Sequence, residues 1–313
     1  MAAVLIGAAA SAAAQSWPTK PIRLIVPFGP GSTADIIART IAPSFTRDFG
    51  QQVTIENRPG AAGTIGGAEA ARAAPDGHTL VLGTVASHGI GTIMMANVPF
   101  DPVRDFQPIT LITNAPNLIA VHASLPVKTL PELVALARKD PSLNYTSSGT
   151  ATTTHLAGEA IWARSGVKVT HVPYKSVNQA ITDFIGGHIP IMVYAIPALR
   201  PFIDSGKVRP LAVTSLRRVP SLKDVPTVAE TMIPGFDSTA WFGIMAPAGT
   251  PRAIIDRLHK SVLGAMDTPE LRQQFAAQGL EPVGMGPDEF AAFIKADLLR
   301  WREVIAKTGV KAE

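Results

Sequence analysis

The sequence predicts an α/β fold of two lobes, each a mainly parallel sheet flanked by helices, with a ligand cleft between the lobes. Apolar segments typical of buried strands alternate with segments of helical periodicity. A unit of strand, Gly/Ser/Thr-rich loop and helix occurs twice, with its loop near residue 31 and again near residue 149. The chain of 313 residues is long enough for two medium-sized cores.

The first third of the chain predicts three strands and two helices. Apolar residues dominate the strand segments and recur at roughly helical spacing in the helix segments. Glycines open the second helix, and Pro75-Asp76-Gly77 ends it. In order, the segments are PIRLIVPF (strand), TADIIARTIAPSFTRDFG (helix), QQVTIENRPG (strand and turn), GTIGGAEAARAAPDG (helix) and HTLVLGTVAS (strand).

The remaining segments continue the alternation. The strand NLIAVHASLP leads to a helix that begins at Thr129, where Pro131 and Glu132 suit a first turn. A Pro-punctuated loop is predicted up to IPGFDSTAWFGIMAPAGTP, and Ile254 to Val304 is mainly amphipathic helix. Between them lie LNYTSSGTATTTHLAGEAIWARSG (strand, loop, helix), KVTHVPYKSVNQAITDFIGGHIPIMVYAIPAL (strand, loop, helix, strand) and VRPLAVTS (strand).

The repeated unit predicts how the two lobes are divided. Ligands of open α/β sheets bind outside the carboxyl ends of strands, so both loops are expected to face one cleft. We expect the chain to cross between lobes near Ile112–Leu118 and to return near Pro234–Trp241. Lobe 1 then contains residues 18–114 and 238–313, and lobe 2 contains residues 115–237.

The N-terminus predicts export to the periplasm. Residues 1–14 form a small-residue apolar run that ends in Ala12-Ala13-Ala14, as in a cleaved signal peptide. The run is too short to span a bilayer, which needs about 20 apolar residues. No Lys or Arg precedes the run, and an ordinary Ala-rich helix is the alternative interpretation.

Composition excludes several classes of function. The chain has no cysteine, which removes disulfides, thiolate metal sites and Cys nucleophiles. The formal net charge is +4, but the basic residues are scattered, so nucleic-acid binding is not expected. The histidines are dispersed without an H-E-x-x-H pattern, so we expect no metal site and no cofactor.

The first glycine-rich loop also fits a nucleotide-binding motif. Gly29 to Ala34 match G-x-G-x-x-A between a strand and a helix, and Glu56 lies where a ribose-binding acid would. Against this interpretation, Pro30 offers no N–H donor for a pyrophosphate, and nicotinamide cofactors are not generally available outside the cytoplasm. A nucleotide-cofactor oxidoreductase, exported or cytoplasmic, is the alternative function.

Other enzyme classes find less support in the sequence. Around Ser87 the nucleophile pattern G-x-S-x-G fails, because Val85 stands where the first glycine belongs, although Gly89 is present. His155 and His171 are better interpreted as hydrogen-bonding residues than as metal ligands. We therefore expect no catalytic residue.

Both loops suit an anion, because a helix start offers unpaired N–H donors and partial positive charge without Lys or Arg. In the first loop, Gly31 gives a ligand room, while Ser32 and Thr33 offer donors. Asp35 is either a favourable first-turn acid or a residue that fixes a water, an amine or a hydroxyl; Phe28 is either pocket floor or core. The second loop offers Ser147, Ser148, Gly149, Thr150, Thr152 and Thr153. Such loops are often only helix caps, but two of them would suit a dicarboxylate.

Six segments carry a resemblance to a known family: WPTKPIRLIVPFGPGSTADIIARTIAP, VTIENRPGAAGTIGGAEAARAAPDGHTLVLGT, LNYTSSGTATTTHLAGEAI, VPYKSVNQAITDFIGGHIPIM, VRPLAVTSLRRVPSLKDVPTVAE and WFGIMAPAGTPRAIIDRL. Together they resemble the extracytoplasmic solute receptors of tripartite tricarboxylate transporters, often called Bug proteins. The resemblance implies a type II-like periplasmic-binding-protein fold that closes on its ligand and delivers it to membrane permease subunits. It also implies a monomeric, non-catalytic receptor for a di- or tricarboxylate or an aromatic acid.

The resemblance also implies the binding residues, which would act through backbone amides, hydroxyls and bridging water. They are Phe28, Gly31, Ser32, Thr33, Asp35, Thr84, Ser87, Ser147, Ser148, Gly149, Thr150, Thr152, Thr153 and Tyr174. The chain departs from the family pattern at four positions near the expected cleft, namely Pro30, Ala151, Ser176 and Pro190. These departures leave the identity of the ligand open.

Overall fold

The computed structural model describes residues 17–174 and 176–308. The predicted signal peptide, residues 1–14, lies outside the described residues. The strands are β1 (Ile22–Val26), β2 (Val53–Asn57), β3 (Thr79–Thr84), β4 (Phe106–His122), β5 (Asn144–Thr146), β6 (Thr170–His171), β7 (Ile191–Ala195), β8 (Val208–Val213), β9 (Thr239–Pro247) and β10 (Glu281–Met285).

Helices connect most of these strands. The α-helices are α1 (Thr33–Phe49), α2 (Thr64–Ala71), α3 (Gly91–Met94), α4 (Leu130–Lys139), α5 (Thr153–Arg164), α6 (Val177–Ile185), α7 (Ile196–Asp204), α8 (Val228–Thr231), α9 (Arg252–Met266), α10 (Pro269–Ala277) and α11 (Pro287–Thr308). Short 3₁₀-helices lie at Ala61–Gly63 and Pro220–Leu222, and a π-helical turn lies at Ala86–Ile90. In the described part of the chain, no helix is both long and apolar enough to cross a membrane.

Helix α1 shows how local sequence sets an element. Ile37, Ile41 and Phe45 recur every four residues, and all three are buried on the face that packs against the sheet. Ser32 caps the first turn by accepting a hydrogen bond from an N–H of that turn. Gly50 ends the helix at φ 64°, a left-handed conformation that glycine adopts without a steric penalty. The predicted boundaries of this helix are therefore confirmed.

The strand order is β2-β1-β3-β9-β4-β7-β5-β6, and both β8 and β10 also pair with β4. Strands β1, β2 and β3 are parallel, as are β5, β6 and β7, whereas β4 and β9 run antiparallel to their neighbours. The sheet is mixed, so the expectation of mainly parallel sheets is wrong. Two parallel strands that follow each other in the chain need a crossover connection, whereas antiparallel strands do not, so both kinds of pairing can occur in one sheet. Strand β9 was not predicted; it is a largely apolar segment with prolines and glycines on both sides.

Strand β4 links the two halves of the sheet. It pairs with β9 up to Pro116, with β7 from Asn117 onward and with β8 from Leu118 onward. The predicted crossing at Ile112–Leu118 falls within this strand, and the predicted return at Pro234–Trp241 includes the start of β9. Apolar clusters lie on both halves, around Phe45 and Trp241 in one and around Tyr145 or Phe184 in the other. The residue boundaries of the two lobes stay a prediction.

Candidate functional site

A small cavity lies where the carboxyl ends of β1, β3 and β7 meet the first turns of α1 and α5. We call this cavity of about 50 Å³ the inner chamber. It is lined by Phe28, Ser32, Thr33, Ala34, Thr84, Val85, Ala86, Asn117, Ser148, Thr152, Thr153, Thr154, Tyr194, Ala195, Ala240 and Phe242. None of these described lining residues carries a charged side chain, so an anion there would depend on neutral donors and helix dipoles.

A wider groove adjoins the inner chamber and shares Phe28 and Ser148 with it. We call this groove of about 420 Å³ the outer groove. Its further lining residues are Gly29, Pro30, Pro59, Gly60, Ala61, Ala62, Gly63, Met95, Gly149, Thr150, Tyr174, Ser176, Val177 and Asn178. The two spaces together form a small inner end at the first turns of α1 and α5 and a wider outer part.

The first turn of α1 forms one wall of the inner chamber. Ser32 is the N-cap, and its hydroxyl accepts the N–H of Asp35 at 3.3 Å. Thr33 meets Tyr194 of β7 across the cleft. Burial raises the pKa of the Tyr194 phenol, and hydrogen bonding from the Thr33 backbone opposes that rise. At neutral pH this phenol is a neutral donor in the wall.

The first turn of α5 forms the opposite wall and contains a network of hydroxyls. Thr152 is the N-cap: its hydroxyl accepts the N–H of His155 at 3.3 Å and donates to the Gly149 carbonyl at 2.7 Å. The Thr154 hydroxyl lies 2.6 Å from the Ser148 hydroxyl and 2.9 Å from that of Thr152. These bonds fix the orientation of the loop that begins the helix.

Seven predicted site residues line the inner chamber: Phe28, Ser32, Thr33, Thr84, Ser148, Thr152 and Thr153. Gly149, Thr150 and Tyr174 line the outer groove. The Tyr174 hydroxyl donates to Asp183 at 2.7 Å, and burial together with this carboxylate raises the Tyr174 pKa to about 12. The structure therefore brings most of the two predicted loops to one place.

Four predicted site residues, Gly31, Asp35, Ser87 and Ser147, line neither space. The Ser147 hydroxyl is 2.9 Å from Nε2 of His171, in the layer beneath the second loop. The Ser87 hydroxyl contacts the Thr84 hydroxyl at 3.2 Å and Nδ1 of His88 at 2.8 Å. Ser87 and His88 are both 0% exposed, so this pair is part of the buried support of Thr84.

The structure does not favour the nucleotide interpretation of the first loop. The Gly31 N–H donates to the Asp35 carboxylate at 2.9 Å and so is not available to a phosphate. Glu56, the expected ribose-binding acid, is bound at 2.8 Å by Arg23 and at 3.0 Å by Arg58. These contacts lower the Glu56 pKa and use the carboxylate in a surface ion-pair network.

Several lining residues were missed by the sequence analysis. Asn117 lies in β4, Tyr194 in β7 and Phe242 in β9. Two of them lie in predicted strands and Phe242 lies in a segment without an assignment, so no local signal distinguished them. Thr154 alone had such a signal, because it continues the Ser/Thr run of the second loop. In residues 17–174 and 176–308, no group of three His, Cys, Asp or Glu side chains could hold a metal ion.

Comparisons with known proteins agree with this geometry. The model of the family described as "Tripartite tricarboxylate transporter family receptor" matches residues 37–310. Protein BugT of Bordetella pertussis is 33% identical over 307 residues, which cover 97% of this chain and 94% of BugT.

Two solved structures share the fold over nearly the whole chain. An R. palustris protein solved with adipate has a TM-score of 0.91 and 33% identity, covering 94% of this chain and 99% of its own. Periplasmic binding protein BugD has a TM-score of 0.90 and 31% identity, covering 95% of this chain and 100% of its own. This chain therefore belongs to the receptor family of the tripartite tricarboxylate transporters, the Bug-type receptors, and has their periplasmic-binding-protein fold.

Proposed function

We propose that this protein is a non-catalytic periplasmic receptor that captures a small carboxylate for the permease subunits of a tripartite tricarboxylate transporter. One observation carries the proposal: the starts of α1 and α5 line the same chamber from opposite walls. Each helix start contributes about half a positive charge and several N–H groups without an intrahelical partner. A carboxylate between the two starts would be stabilised from both sides.

The lining supports an anion held by neutral donors. A hydrogen bond to a charged group contributes about 1.5–3 kcal/mol, so a few such bonds are sufficient for a micromolar complex of about −8 kcal/mol after ordering costs. Ser32, Thr33, Ser148 and Thr153 are the donors that we assign to the inner end of the ligand. Thr152, whose hydroxyl donates to the Gly149 carbonyl, would orient this loop for the ligand. Gly149, Thr150 and Tyr174 would contact its outer end, and Phe28 and Thr84 complete the walls.

Closure of two lobes would follow from this arrangement. In the proposed division, Thr33 belongs to residues 18–114 and Ser148 to residues 115–237. A ligand that contacts both residues stabilises the closed state over the open one, because it forms the full set of bonds only there.

The proposed location rests on the N-terminal sequence and on the family. We propose that residues 1–14 are a signal peptide and that the exported receptor begins at Gln15. N-terminal sequencing of the protein from a periplasmic fraction should then begin at this residue. Recovery of the uncleaved chain from the cytoplasm would contradict export.

A ligand screen tests the function. Purified protein is heated with mono-, di- and tricarboxylates, with aromatic acids and with NAD(H), and the shift in Tm is measured; hits are then titrated calorimetrically. At least one carboxylate should raise the Tm, because a ligand that binds only the folded state stabilises it. Stabilisation by NAD(H) alone, or chemical conversion of a bound ligand, would contradict the proposal.

A further inference from the structure

Asn117 occupies a special position in the inner chamber. It is the first residue of β4 that pairs with β7, and it is 0% exposed. Its backbone N–H donates to the Thr214 hydroxyl at 2.9 Å, and its carbonyl accepts the N–H of Thr214 at 2.9 Å. The backbone that holds this side chain at the chamber wall is therefore fixed.

The orientation of the Asn117 amide is also fixed. Its Nδ2 donates to the carbonyl oxygen of Ser238 at 2.9 Å. A flipped amide would put Oδ1 against that carbonyl, and two acceptors would face each other. The oxygen of the amide is therefore the atom that the bond to Ser238 leaves unused.

This oxygen lacks a partner. Oδ1 of Asn117 is buried and has no hydrogen bond within the protein. A buried acceptor without a partner is unfavourable, and bulk water does not reach a residue that is 0% exposed. A molecule bound in the inner chamber, which Asn117 lines, would supply the missing donor.

The chemistry of the chamber restricts that donor. An ammonium group would need a carboxylate nearby, because burying an unpaired charge is strongly unfavourable. No described residue that lines the inner chamber is acidic. A neutral hydroxyl meets the requirement: it donates to Oδ1 and needs no counter-charge.

We propose that Asn117 is a specificity-determining residue that recognises a hydroxyl group on the bound carboxylate. The inference rests on the proposed function, because it places a carboxylate in the inner chamber. The starts of α1 and α5 hold the carboxylate, and Oδ1 of Asn117 accepts the hydroxyl proton. A site with a buried polar atom that needs a partner discriminates against the analogue that lacks this partner.

Matched ligand pairs test the proposal. Dissociation constants are measured by calorimetry for succinate and malate, glutarate and 2-hydroxyglutarate, adipate and 3-hydroxyadipate, and propionate and lactate. In at least one pair, the hydroxylated acid should bind about tenfold more tightly than its parent, which corresponds to about 1.4 kcal/mol. Ratios of threefold or less in every pair would overturn the role of Asn117.

Two variants connect the preference to this oxygen. Asn117→Leu removes Oδ1 at similar volume and should reduce the preference to twofold or less, mainly by weakening the hydroxylated acid. The control Asn144→Leu removes another buried amide oxygen without a hydrogen bond, at a residue that lines neither the inner chamber nor the outer groove, so the preference should persist. A preference that survives Asn117→Leu would overturn the assignment.

The outcomes separate this inference from the proposed function. Carboxylates that bind without regard to the hydroxyl overturn only the role of Asn117. If no acid of the series and no acid of the wider screen binds, both proposals fail. The ratios of dissociation constants within each ligand pair are measured on the wild-type protein, so they test the inference even if Asn117→Leu does not fold.

Discussion

The carboxylate of Asp35 accepts the backbone N–H of Gly31 at 2.9 Å, four residues earlier in the chain. The same carboxylate accepts Nε of Arg39 at 2.9 Å and Nδ2 of Asn57 at 3.0 Å. Asp35 is 3% exposed, so these bonds form in a largely dry site. The acid in the first turn of α1 therefore shapes the first loop, and the loop presents Ser32 and Thr33 to the chamber.

Asp35→Asn should destabilise the protein. The variant loses the negative charge that accepts hydrogen bonds from Gly31, Arg39 and Asn57. Its new amide nitrogen is itself a donor and would face one of these donors instead of an acceptor. We expect the free energy of unfolding at pH 7 to fall by about 2 kcal/mol, measured by urea denaturation. Arg39→Ala, which removes a partner with a half-exposed side chain, should cost less than about 1 kcal/mol. Equal effects of the two substitutions would contradict this role of Asp35.

The difference between wild type and Asp35→Asn should depend on pH. Burial raises the pKa of Asp35, but the bonds from Arg39, Gly31 and Asn57 outweigh it and lower the pKa below its usual value of 3.8. The unfolded chain therefore binds a proton at a higher pH than the folded one does. The contribution of this carboxylate is present above about pH 4 and is lost as the pH falls through the lower folded pKa. Denaturation curves between pH 7 and pH 3 should converge for the two proteins.

Thr152→Ala should weaken both the fold and ligand binding. The variant loses the N-cap of α5 and the bond to Gly149, so we expect a loss of about 1 kcal/mol in unfolding free energy and a several-fold weaker carboxylate affinity. Thr268→Ala is the matched control. Thr268 caps α10 in the same way, accepting the Leu271 N–H at 3.4 Å, and lines neither the inner chamber nor the outer groove. Thr268→Ala should lower the unfolding free energy by a similar amount and leave the carboxylate affinity unchanged. An equal loss of affinity in both variants would contradict the assignment of Thr152 to the site.

Gly31→Ala should strain the first loop and narrow the cleft. Gly31 has φ +78°, and a Cβ there would lie 3.3 Å from Oδ1 of Asn178 in α6. The left-handed conformation costs a non-glycine residue about 1 kcal/mol, and the new methyl presses on the opposite wall. Gly50→Ala is the control, because Gly50 has φ +64° and nothing within 4 Å of the added Cβ. Both variants should lose stability in denaturation, but only Gly31→Ala should bind the carboxylate more weakly.

The stability of the protein should fall as the pH drops below about 6.5. Burial lowers the pKa of His88 to about 3; burial and the neighbouring His155 lower that of His171 to about 3. Between pH 6.5 and 3 the unfolded chain binds these two protons and the folded chain does not. Each histidine therefore lowers the free energy of unfolding by about 1.4 kcal/mol for every unit that the pH falls. His88→Gln should reduce the slope of unfolding free energy against pH by about this amount. Parallel curves for the variant and the wild type would contradict the prediction.

Much of the fold was predictable because its signals are local. Ser32 before α1, Thr129 before α4 and Thr152 before α5 each precede a segment of helical periodicity, and each is an N-cap in the structure. Capping depends only on neighbours within one turn, so a sequence pattern is sufficient to predict it. The six family-like segments extended this from single elements to the whole fold.

Elements that depend on tertiary pairing were not predicted. The segment of strand β9 received no assignment from its sequence, whereas its pairing with β3 and β4 makes it a central strand. Tertiary pairing overrides local preferences. The antiparallel direction of β4 and β9 is likewise set by which strands meet, not by their composition.

The candidate site divides in the same way. Local patterns were sufficient for the class of the fold, for both helix starts and for most hydroxyls of the two loops, since these are neighbours in the chain. Local bonds that the patterns did not reveal took the Gly31 N–H for Asp35 and the Ser87 hydroxyl for Thr84 and His88. Long-range packing placed Ser147 against His171 and brought Asn117 to the chamber. A side chain serves a ligand only when folding leaves it without another partner, and the tertiary structure decides this.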